Sequence, residues 1–114
     1  MKFLLLLLCV VAVSRCTPPK VTTGLLPVCV SDLIAKYQQA PKENPPRKVY
    51  SYTYKGETVY YVTAACCDMY SELYAVNCKL LGHPDGGITG KGDGTLPDFY
   101  DTRSKERVVW EDKR

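Results

Sequence analysis

The sequence predicts an α+β domain, small and disulfide-stapled. Three observations carry this. Apolar residues recur at helical spacing early in the chain, two aromatic and β-branched runs flank a two-residue turn signal, and six cysteines stand among only 114 residues. The expected assembly is an N-terminal helix, a tyrosine-rich β-hairpin, one or two further antiparallel strands and a Gly/Asp-rich loop.

The chain opens with Lys2 as a positive n-region, followed by an apolar run of eleven residues, Phe3 to Val13. This is the pattern of a secretory signal and is too short for an ordinary membrane span. Cleavage fits two places. A cut after Ser14 leaves the small residues Ala12 and Ser14 on the signal side. A cut after Cys16 leaves an even set of four cysteines, Cys29, Cys66, Cys67 and Cys78, which suits an exported protein. The organisation adopted is a signal peptide over 1–16, a flexible Pro/Thr/Gly-rich lead-in over 17–27 and a single disulfide-linked domain over 28–114. A lipid anchor on Cys16 is disfavoured by Arg15, where such signals want a small residue. The expected localisation is secreted and extracellular.

Charge narrows the partners. The formal net charge is +3, and removing Lys2 and Arg15 leaves thirteen Lys and Arg against twelve Asp and Glu. A near-neutral surface of mixed sign carries no electrostatic footprint for nucleic acid. The mature chain also lacks the polybasic cluster that holds a protein on an anionic membrane.

Ser31 offers an N-cap and Asp32 an acidic first turn, with Leu33, Ile34 and Tyr37 on one face. The spacing predicts a helix from about Asp32 to Gln39, ending before Pro41, with Cys29 just ahead of it. After a proline-rich connector come Val49 to Tyr54 and Glu57 to Val62, joined by Lys55-Gly56. This is a hairpin signal. Pairing outward from the turn puts Tyr50, Tyr52, Tyr54, Val59 and Tyr61 on one face, the expected core face with solvated phenol tips. Asp68 to Tyr74 reads equally as a helical turn or a bent strand. Val76 to Leu81 reads as a third strand, Val108 to Trp110 as a last one, with Trp110 inserted in the core.

A disulfide between neighbouring cysteines closes a strained eight-membered ring, so Cys66 and Cys67 are each expected to pair elsewhere. That leaves two connectivities: Cys29–Cys66 with Cys67–Cys78, or Cys29–Cys67 with Cys66–Cys78. A zinc site would want paired C-x2-C spacing, which is absent.

The run His83 to Gly94, HPDGGITGKGDG, holds five glycines, two aspartates and the only histidine. No such composition forms a regular helix or strand, so something must hold the run if it is ordered. This makes it the candidate interaction loop, with His83, Asp85, Lys91 and Asp93 as its candidate residues. The leading reading is a structural loop whose aspartates bond nearby N–H groups. The alternative is Ca²⁺ binding through Asp85 and Asp93, with Asp98 as a possible third carboxylate, although the spacing matches neither an EF-hand nor a repeat-type calcium loop. Lys91 in a protease-directed loop is weakened by glycines on either side, where an inhibitor needs a stiff backbone. Two aspartates oppose anion binding. His83 has no nucleophile placed beside it by any local motif, so no catalytic residue and no enzymatic activity are expected.

The segments Val59 to Tyr61 (VYY), Cys66-Cys67-Asp68, Glu72-Leu73-Tyr74, Pro84 to Gly94, Pro97-Asp98-Phe99 and Trp110-Glu111-Asp112 together resemble a small exported domain family of unknown function. The resemblance runs from about Cys29 to the C-terminus and is associated with bacterial exported and invertebrate secreted proteins. It implies a compact disulfide-linked α+β domain outside the cell and brings no activity with it. Cysteines that bracket the glycine loop in those relatives are replaced here by Gly82 and Leu96, as loss of one disulfide would leave them.

The functional expectation is a secreted, non-enzymatic domain that binds an extracellular protein or matrix, including a mineralised one. The chain lacks the long acidic tracts of direct mineral adsorption. A secreted inhibitor or a ligand- or Ca²⁺-binding module acting through 83–94 is the alternative.

Overall fold

Aromatic and β-branched side chains on either side of Lys55-Gly56 build the centre of the sheet. The computed structural model describes residues 25–114; the signal segment, both cleavage positions and most of the lead-in lie outside them. In chain order the elements are α1 (Val28–Gln39), β1 (Lys48–Tyr54), β2 (Glu57–Val62), β3 (Glu72–Ala75), β4 (Leu80–Gly82), α2 (Phe99–Thr102) and β5 (Ser104–Glu111). The strands form one antiparallel sheet in the order β4-β3-β2-β1-β5. Three strands therefore join β1 and β2, against the one or two expected.

β1 and β2 pair from Val49↔Val62 to Tyr54↔Glu57. Lys55 and Gly56 both have positive φ, 50° and 79°, the twist-matched turn for a two-residue connection. A strand's side chains alternate between faces, and here both faces are covered. On one, Tyr52, Tyr54, Val59, Leu73 and Phe99 are buried, with Tyr50, Tyr61, Leu81 and Leu96 packed around them. On the other, Val49 and Val62 are fully buried under Val30 of α1, with Leu33, Ile34, Tyr37 and Trp110 against them. Trp110 is half-buried at the edge of this second cluster, stacked on Tyr37 at 6.2 Å between ring centroids.

α1 begins four residues before the expected Asp32. Pro27, in extended conformation, stands at the N-cap without a side-chain bond, and its carbonyl accepts from the Val30 and Ser31 amides. Ser31 is thus inside the helix, its hydroxyl donating back to the Val28 carbonyl at 3.0 Å. Tertiary contacts override the local cap signal: burial of Val30 and the bond from Cys29 hold the first turn. At the other end, the Arg114 guanidinium donates to the carbonyls of Tyr37, Gln38 and Ala40 at 3.0, 3.1 and 2.8 Å. Asp112 fixes that guanidinium from behind at 2.7 and 2.9 Å.

Val76 to Leu81 is not one strand. The Cys78 amide donates to the Ala75 carbonyl and the Ala75 amide to the Lys79 carbonyl, turning the chain between β3 and β4. The turn puts Cys78 beside Cys29, with S–S 2.09 Å and Cα–Cα 5.7 Å. Both expected connectivities are thereby corrected. The register explains why: Val59 pairs with Ala75 and Val62 with Glu72, so Cys66 and Cys67 lie beyond one end of the β2–β3 ladder and Cys78 beyond the other. A four-residue ladder spans roughly 10 Å, more than the ~7 Å that a disulfide bridges between Cα atoms.

Candidate functional site

The glycine loop is held by residues outside it: Tyr61, Met69, Tyr70 and Ser71 on one side and Thr95 at its exit. Ser71, fully buried just before β3, brackets Asp85. Its amide donates to the Asp85 carbonyl at 3.1 Å, its hydroxyl to the same carbonyl at 3.2 Å, and the Asp85 amide donates back to that hydroxyl at 3.1 Å. The Tyr61 hydroxyl, projecting from β2, donates to the Asp85 carboxylate at 2.5 Å. Burial first, and then this carboxylate, hold the Tyr61 hydroxyl far above its ordinary pKa, so it stays a donor. Tyr52 and Tyr54 follow the same rule with Glu106 and Asp98, at 2.5 and 2.7 Å. Three tyrosine tips of one hairpin face thus anchor three later segments of chain.

His83 sits at the loop's entry. Its Nδ1 lies 2.7 Å from the Ser71 carbonyl and so carries the proton, and its ring stacks on Tyr70 at 5.0 Å. Asp93 closes the exit: its carboxylate accepts from the His83 amide at 3.2 Å, the Thr95 amide at 3.0 Å and the Thr95 hydroxyl at 2.6 Å. These bonds, Thr95 foremost, hold the Asp93 carboxyl below the usual carboxylate range. Between entry and exit the backbone bonds to itself and to its neighbour, with Gly87 donating to Met69, Gly90 to Gly87, Gly92 to Gly86 and Asp93 to His83.

Close approach dictates two of the glycines. A Cβ on Gly92 would lie 2.0 Å from the His83 carbonyl oxygen, and one on Gly86 would lie 2.2 Å from that of Met69. Gly82 and Leu96 are neighbours here, the Leu96 side chain reaching within 3.0 Å of where a Gly82 Cβ would stand. The Thr95 hydroxyl comes closer still, at 2.3 Å, so Thr95 and Leu96 together fill the place beside Gly82.

The candidate residues therefore divide: His83, Asp85 and Asp93 come together as internal fasteners, while Lys91 faces outward. Ile88, not among the candidates, faces outward too, at 91 % exposure. Asp98 belongs to Tyr54 and Lys55 rather than to the loop. Among the described residues no three His, Cys, Asp or Glu side chains gather as a metal-holding group. Sequence reasoning missed Ser71, Tyr61, Tyr70 and Thr95. Tyr61 had left a signal, as a phenol tip on an aromatic face, and Thr95 another, as the second residue after Asp93. Cys66 and Cys67 are exposed and free, with their sulfurs 2.7 Å apart.

No curated protein and no solved structure matches the chain. Residues 35–112 match a protein family, covering the sheet, the loop and the C-terminal part of α1, and on that match the chain belongs to the family described as Domain of unknown function (DUF6970).

Proposed function

We propose that the protein is secreted and acts outside the cell as a non-enzymatic interaction domain, binding a matrix protein through the loop His83–Gly94. The observation that supports this best is the division within the loop. Its carboxylates and most of its amides are engaged by bonds within the protein, while Ile88 stands at the tip almost wholly exposed. A loop already ordered by its own bonds loses little freedom on binding, and an exposed branched side chain at its tip supplies apolar contact area. The Cys29–Cys78 bridge fits an oxidising compartment, as does the apolar run Phe3 to Val13. A non-enzymatic role accords with His83 bound to a carbonyl and the buried Ser71 hydroxyl turned to backbone. The near-neutral charge and lack of acidic tracts favour protein over mineral as the matrix contact.

Retention of the purified chain on insoluble extracellular matrix tests the reading. Ile88→Asp should weaken retention by about tenfold, a loss of roughly 1.4 kcal/mol. Val108→Asp, another change at an exposed apolar residue, on β5 at the edge of the sheet, should leave it unaltered. No retention of the native chain, or equal retention of all three, overturns it.

A further inference from the structure

Cys66 and Cys67 lie in the connection between β2 and β3, both exposed. In extended backbone, neighbouring side chains point to opposite sides. Here Cys67 has φ of 73°, a left-handed value uncommon outside glycine, and the two sulfurs converge to 2.7 Å. That is longer than a bond, about 2.04 Å, yet closer than non-bonded sulfurs ordinarily sit. Cys78 and Cys29 hold each other, so among the described residues neither thiol has a competing partner. A backbone outlier that aims two nucleophiles at each other is where a functional constraint is sought.

We propose that Cys66 and Cys67 form a thiol–disulfide exchange site that takes low-molecular-weight disulfides and closes reversibly to a vicinal disulfide. The Cys66 thiolate attacks one sulfur of the donor. The donor S–S bond breaks, its other sulfur leaves as a thiolate, and Cys66 is held in a mixed disulfide. The Cys67 thiolate then attacks the Cys66 sulfur and expels the second donor sulfur as a thiolate. Two protein thiols are oxidised, one donor disulfide is reduced to two thiols, and the two cysteine protons pass to the departing thiolates. Excess small thiol drives the same steps backward. Strained, exposed disulfides are the ones that exchange, which separates this pair from the Cys29–Cys78 staple.

Cleavage at Glu57 and Met69 releases Thr58–Met69, a fragment that contains Cys66 and Cys67 and no other cysteine. After the folded protein meets excess oxidised glutathione and then an alkylating agent, this fragment should be two hydrogens lighter than its reduced form and carry no alkyl group. Dithiothreitol should restore two alkylatable thiols. In Cys67→Ser the second step is blocked, and glutathione should remain on Cys66. A native fragment that carries two alkyl groups, keeps a glutathione adduct or is joined to another cysteine overturns the proposal. So does a Cys67→Ser fragment that takes no glutathione.

Discussion

Gly90 and Gly92 have the same φ, 72°, yet the structure asks different things of them. Nothing lies within 4 Å of a Cβ added at Gly90, whereas at Gly92 the His83 carbonyl oxygen would be 2.0 Å away and backbone atoms of Pro84 and Asp85 within 3 Å. Gly90→Ala should therefore cost only the left-handed penalty of about 1–2 kcal/mol. Gly92→Ala must displace backbone as well and should cost clearly more in urea denaturation. Equal losses would contradict the close packing of the loop's two ends. Composition announces that the run needs glycine, but it does not say where. The nearest partner lies 9 residues back for Gly92, at His83, and 17 back for Gly86, at Met69. The bond from the Thr95 amide to Asp93, two residues back, is the short-range Asx habit that a sequence can announce, whereas Tyr61 and Ser71 reach Asp85 from β2 and from the residue before β3.

At the scale of the element, α1 shows where local signals prevail and where they fail. Its end at Gln39 follows from Pro41, two residues on. Its start was misread because Ser31-Asp32 looks like a cap, while the buried Val30 and the tied Cys29 outweigh that habit. Arg114 on the last carbonyls was illegible, since it lies more than seventy residues away. This clip should be sensitive to acid. The Arg114 guanidinium holds the Asp112 carboxyl down at about 2. A carboxyl depressed on folding contributes stability that is fully present above its unfolded value of about 3.9, and that contribution is lost as pH falls through about 2. Asp112→Asn should therefore melt below the native protein above pH ~4. The gap should shrink between that point and about pH 2. A gap that stays constant over this range would show that the pair does not act through charge.

For the molecule as a whole, the α+β class, the antiparallel sheet and the presence of a disulfide were legible, and the wiring of the disulfide was not. The turn that follows β3 directly, at Val76-Asn77, is what carries Cys78 to Cys29, and no apolar pattern announces it. That bridge spans 49 residues, and closing so long a loop is worth roughly 4 kcal/mol on a chain-entropy account, against the ~5–15 kcal/mol of a typical domain. Cys29→Ser should thus severely lower the melting temperature, while Lys91→Ala should leave it within a degree or two of the parent (about 0.5 kcal/mol for an exposed side chain). Equal behaviour of the two variants would remove the staple from the account. The central claim is that the loop His83–Gly94 is an ordered platform held by the protein's own bonds. Amide hydrogen exchange at Gly87, Gly92 and Asp93 tests it most directly, because these N–H groups donate to Met69, Gly86 and His83 only if the platform exists. The account predicts slowed exchange at all three, with the same rates in the presence or absence of calcium at about 1 mM. Open-chain rates that become slow only when calcium is added would contradict it.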